Sequence, residues 1–97
     1  MNELGRTLRH IREVSGRRQW QVAQAAGVTP GFLSLVEKGQ RMPTLDVLTA
    51  IAKALDVPLL LIIYRAESDA WMNEQTRTWL ALEWQTRFPD APDALSH

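Results

Sequence analysis

Apolar residues recur at Leu4, Leu8, Ile11 and Val14, a spacing of three and four that lines one face of a helix from Asn2, its cap, to about Ser15. Gly16 closes that helix. A second, short helical stretch runs from Gln19 to Ala26 and turns Val22, Ala23 and Ala26 inward, and a third carries Phe32, Leu33 and Val36 on its inner side. Thr44 caps a fourth helix, Leu45 to Leu55, in which Leu45, Leu48, Ile51, Ala52 and Leu55 keep the same period. Pro58 opens a fifth over the run PLLLIIYRA. Periodicity alone leaves residues 59–64 open between a buried helix and a strand. Helix is favoured, because a lone strand in a helical domain would leave its backbone groups unpaired unless a second chain supplied the partner.

From Asp69 to about Phe88 the pattern predicts one further helix, capped by Ser68 or Asp69 and stopped by Pro89. It has two apolar faces. Trp71, Met72, Trp79 and Leu82 cluster on one, while Leu80, Trp84 and Phe88 cluster on a roughly opposite one. One face is expected to pack on the chain's own core. The strip of Leu80, Trp84 and Phe88 then stays outward as a dimer or partner interface. The end, PDAPDALSH, has the composition of a disordered tail.

The segment Gln19 to Gly39, QWQVAQAAGVTPGFLSLVEKG, is the most tightly punctuated part of the chain. Gly27 can take positive φ and turn the backbone sharply, Thr29 caps the next helix, Pro30 fills its first position, and Gly39 stands where it ends. With LGRTLRHIRE before it, and Pro43 and TLDVLTAIAKALDV after it, the segment resembles the Cro and lambda-repressor-like (XRE) family of helix-turn-helix DNA-binding domains. The spacing of Ala23, Gly27, Val28, Leu33, Val36, Glu37 and Gly39 carries the resemblance, which runs from about Leu4 to Leu60. It implies an all-α chain: a five-helix lambda-repressor-like DNA-binding domain over residues 1–65, with an additional C-terminal helix. Residues 66–97 then form a Trp-rich, acidic helix and tail for dimerisation or partner binding.

Composition narrows the classes. At 97 residues there is room for one helical core, and without cysteine there is neither a disulfide framework nor a thiolate site. The longest apolar run, Pro58 to Tyr64, is far short of the roughly 20 residues that span a bilayer, and no signal-peptide pattern opens the chain. A cytoplasmic protein with no membrane partner is therefore expected. The formal net charge of zero conceals an asymmetry. Residues 1–65 hold nine Lys/Arg against five Asp/Glu, a net of +4, and residues 66–97 hold two against six, a net of −4. The basic part is the part that resembles a DNA-binding domain.

What the resemblance implies for individual residues can be stated by number. A helix-turn-helix lays its second helix in the major groove while the first grips the backbone, so Pro30, Gly31, Ser34 and Leu35 take the base-edge positions, with Lys38 beside them. Pro30 and Gly31 depart from the polar residues usual there. Ser34 could bond a base, Leu35 could pack on a thymine methyl, and DNA shape or flanking arginines must supply the rest. Phosphate contacts fall to Arg17, Arg18, Gln19, Lys38, Arg41 and Gln40, the last through its backbone N–H. Arg18 replaces the small polar cap usual in the family, and Trp20 occupies a position that is normally polar. Glu37 matches a structural glutamate that pairs with a first-helix arginine such as Arg12.

No enzymatic constellation is recognisable. His10 and His97 lie almost a chain length apart and no phosphate-cradling glycine motif is present, so no catalytic residue, metal site or cofactor is expected. The expected function is a sequence-specific transcriptional regulator, a homodimeric repressor on a near-palindromic operator of double-stranded DNA. The rival keeps the fold and discards the DNA: a protein-interaction module, such as an antitoxin, whose C-terminal segment binds a partner protein.

Overall fold

The computed structural model describes residues 3–71 and 73–89, for 67–71 the backbone alone. Six helices follow one another: α1 (Glu3–Val14), α2 (Gln19–Ala26), α3 (Pro30–Glu37), α4 (Leu45–Leu55), α5 (Leu59–Trp71) and α6 (Glu74–Arg87). The class is all-α, a lambda-repressor-like domain with an added helix. Residues 59–64 are helical within α5. Among the described residues no single helix is long and apolar enough to cross a membrane.

Local chemistry sets the helix ends. Thr29 Oγ1 accepts from the Phe32 amide at 3.0 Å and Thr44 Oγ1 from the Val47 amide at 3.2 Å, each relieving one of the donors that a helix start leaves unpaired. Gly27 closes α2 at φ 76°, a region costly for any residue with a Cβ, and this lets the Val28 amide reach back to Ala23 O at 3.0 Å. Asn2, the expected cap of α1, lies outside the described residues, as do Met72 and the tail from residue 90.

One core holds the helices together. Leu8, Ile11, Val22, Ala23, Leu33, Val36, Ile51 and Leu55 are buried, as the periodicity predicts. Leu4, Ala26 and Phe32 are half-buried at its edge, and two expected members are exposed: Leu45, the first residue of α4, at 68%, and Val14, the last of α1, at 47%. Both sit in end turns of their helices. At Gly5, α1 crosses the end of α3 so closely that a Cβ would collide with the carbonyl oxygens of Val36 and Glu37.

The C-terminal region departs from expectation. The single helix expected from Asp69 to Phe88 is two, with Ser68 and Asp69 inside α5 and a new helix starting at Glu74. Asn73 supplies the new start, its Oδ1 accepting from the Thr76 amide at 2.8 Å. The assignment of faces is corrected too. Leu80 and Trp84 are buried in the chain's own core and Phe88 packs against it, so this strip is not a free interface, whereas Trp79 and Leu82 stand out in solvent. Trp84 draws α6 inward. Its ring lies 6.4 Å from His10 of α1, nearly parallel, 6.4 Å from Tyr64 of α5, and 4.6 Å from Phe88. The Arg65 guanidinium stands 5.9 Å from its ring, and Arg87 Nη1 donates to Asp56 O at 3.0 Å. The boundary expected after residue 65 thus falls inside α5, and α6 completes the core built by the helices before it.

Candidate nucleic-acid interface

α2 and α3 meet through the Gly27 turn and are fixed to α1 by one carboxylate. Glu37, at the end of α3, is 7% exposed. Its Oε2 accepts from Arg12 Nε at 2.8 Å, and its Oε1 from Arg12 Nη2 and from Gln19 Nε2, each at 3.0 Å. This is the fork-to-fork geometry that suits arginine and carboxylate. Donating these bonds to Glu37 raises the Arg12 pKa, with smaller support from the charges of Glu37 and Glu13, against a desolvation that lowers it. The third Arg12 nitrogen, Nη1, donates to Arg17 O at 3.1 Å. The expected pairing of Glu37 with a first-helix arginine is therefore present, and it joins three helices.

Around this tie the exposed side of α3 forms a strip. Pro30 and Gly31 are exposed, and Ser34 and Leu35 half-buried. On one flank Arg9, Arg12, Gln19, Ser34, Glu37 and Lys38 line a shallow cleft of about 210 Å³. On the other, the Arg41 guanidinium lies 5.3 Å over the Phe32 ring. Phe32 and Ser34 stand roughly 160° apart around the helix axis, so cations border the strip on both sides.

The phosphate candidates divide. Lys38, Arg41 and Arg18 are exposed. Arg18 stands at the cap of α2 with a side chain that only donates, so the cap is half-made: Gln21 Oε1 accepts from the Arg18 amide at 2.9 Å. Arg17 is half-buried in a separate groove beside Gln21, Val22 and Ala54. The Gln19 side chain is engaged by Glu37, so its outward offering is the backbone N–H at the first position of α2. Gln40 requires a correction. Its amide, expected to face phosphate, donates to Leu35 O at 2.8 Å to close the end of α3. Arg9 was not anticipated from sequence. It pairs with Glu13 at 3.1 Å, and its place on the α1 face three residues before Arg12 is the signal that could have found it. Trp20 is 54% exposed.

A fold of this kind, with a glycine turn, a capped second helix and cations on both flanks of its outer face, defines a helix-turn-helix domain. The model of a helix-turn-helix domain family, XRE-like in kind, matches residues 3–62, and the chain belongs to that family. It is 36% identical over 63 residues to the transcriptional regulator ClgR of Mycobacterium tuberculosis (strain CDC 1551 / Oshkosh), a match covering 65% of this chain and 56% of that protein. The chain thus spans little more than half the length of this curated relative. Among solved structures, the clp gene regulator ClgR from Corynebacterium glutamicum superposes with a TM-score of 0.67 at 26% identity, covering 92% of this chain and 94% of that one. The restriction-modification controller protein C.AhdI from Aeromonas hydrophila gives 0.61 at 30% identity, covering 63% and 92%.

Proposed function

We propose that this chain is a sequence-specific DNA-binding transcriptional regulator, a cytoplasmic homodimer that represses by occupying a near-palindromic operator. The observation that carries this is the α3 strip, bordered by Arg9 and Lys38 on one side and by Arg41 on the other. Lys38, Arg41, Arg18 and the α2 amide end hold the phosphates, while Pro30, Gly31, Ser34 and Leu35 face the base edges. Two-fold symmetry places paired α3 helices about one turn of DNA apart, roughly 10 bp. The regulator names of the relatives support the same function.

The test is selection from a randomised pool of DNA duplexes at near-physiological salt, with sequencing of the bound fraction. A two-fold-symmetric motif is the expected outcome. Arg41→Ala should weaken binding to every duplex and reduce the slope of log affinity against log salt by about 1. No enrichment by the folded protein would refute the proposal and redirect the search to a protein partner.

A further inference from the structure

Gly31 is the one glycine of the five for which the fold has no use. Gly16, Gly27 and Gly39 hold φ of 70°, 76° and 77°, and Gly5 makes room for the carbonyls of Val36 and Glu37. Gly31 has no positive φ, and beyond its chain neighbours and the backbone of its own helix no heavy atom of the described residues lies within 4 Å of where its Cβ would stand. Alanine would fit there and favour the helix. A residue that weakens a helix and relieves no crowding inside the molecule has its explanation outside it.

The surroundings say what that outside object is. Pro30, Gly31 and Leu35 offer no hydrogen-bonding side chain along the exposed side of α3. The major-groove edge of a base pair carries donors, acceptors and a single apolar group, the C5-methyl of thymine. We infer that Gly31 is a specificity determinant: its missing Cβ lets the first turn of α3 approach the groove floor, where a thymine methyl takes the space that a side chain would fill. The inference rests on the DNA-binding reading proposed above. It goes further in naming the base and the steric reason for it. Reading by shape at this position also accounts for Pro30, whose fixed φ holds the turn rigid and whose missing N–H leaves no donor that a methyl would strand.

The experiment compares the native protein with Gly31→Ala on the selected duplex, on a random duplex, and on a series in which each thymine in turn becomes deoxyuridine, which removes only the methyl. Gly31→Ala should melt roughly 2 to 8 °C higher, since it gains helix propensity. It should bind the selected duplex about tenfold more weakly and the random duplex unchanged. One deoxyuridine per half-site should restore the variant's binding. Equal binding of the selected duplex by both proteins would overturn the inference while sparing the DNA-binding reading. Equal weakening on the random duplex would overturn it as well, as would a penalty that no deoxyuridine relieves. If the native protein enriches no motif, the underlying reading falls and this inference with it.

Discussion

Replacing Trp84 by alanine should undock α6. The ring is fully buried and faces two other helices, through His10 on α1 and Tyr64 on α5, and Phe88 just beyond the end of its own. An aromatic side chain of this size buries roughly 200 Å², equivalent to about 5 kcal/mol at about 25 cal/mol per Å². The alanine that remains, and burial that persists in the unfolded chain, reduce this to about 3 kcal/mol. Tryptophan-to-alanine changes in cores cost about 3–5 kcal/mol, so the two routes agree. The domain's whole stability is of order 5–15 kcal/mol, and the loss should concentrate in α6, the last of the described helices, which is held chiefly from this side. Urea unfolding followed by circular dichroism measures the total, and amide hydrogen exchange locates it. The exposed Trp79 is the control, since Trp79→Ala should change stability by no more than about 0.5 kcal/mol. A Trp84→Ala loss under about 1 kcal/mol, or α6 amides as protected as in the native protein, would show that α6 is held by something else.

The same geometry predicts opposite signs at two glycines. Gly5→Ala places a Cβ against backbone carbonyls that cannot swing aside, and should lower stability by about 1–3 kcal/mol, whereas Gly31→Ala raises it; thermal melts of the two decide the point. Glu37→Ala strips Arg12 of a bidentate partner and Gln19 of its acceptor, and should lose about 2–3 kcal/mol in urea unfolding; a loss below about 1 kcal/mol would mean the pair adds nothing net. Because hydrogen bonding raises the Arg12 pKa, its stabilisation is complete below the unfolded value and fades only as pH climbs through the folded one, beyond the alkaline end of ordinary assays.

The helix-turn-helix was legible because its signals are local. Thr29, Pro30 and Gly27 each act within one turn of their own position, so caps and turn read straight from the chain. The Arg12–Glu37 tie was legible only through the family resemblance, since 25 residues separate the partners. α6 was misread for two physical reasons. A helix assumed continuous from Asp69 conceals the new start at Glu74, and with it the role of Asn73 as a cap. Two apolar faces of similar size also leave the choice of inner face to the shape of the receiving groove, here formed by His10, Tyr64 and Arg65. The engagement of the Gln40 amide with Leu35 O was legible in principle and overlooked, since Gly39 at positive φ after the end of α3 directs the next amide back to the carbonyl five residues earlier. Arg41 was named as a flanking cation through the resemblance, but its stacking over Phe32 had no signature in the sequence.

The tie at Glu37 also constrains how this chain can change over generations. Lysine at position 12 would keep the charge but offer one point of contact where the carboxylate now receives two parallel bonds, and aspartate at 37 would fall a methylene short of Arg12 and Gln19 together. A substitution at either end leaves the other partner stranded at a helix junction, so single steps are penalised in both directions. Positions 12, 19 and 37 are therefore constrained together from within, whereas the exposed Pro30 and Gly31 beside them answer only to what they meet outside the molecule. The scaffold is locked by its own helix junctions, and its outer strip is set by a different constraint, the surface it meets.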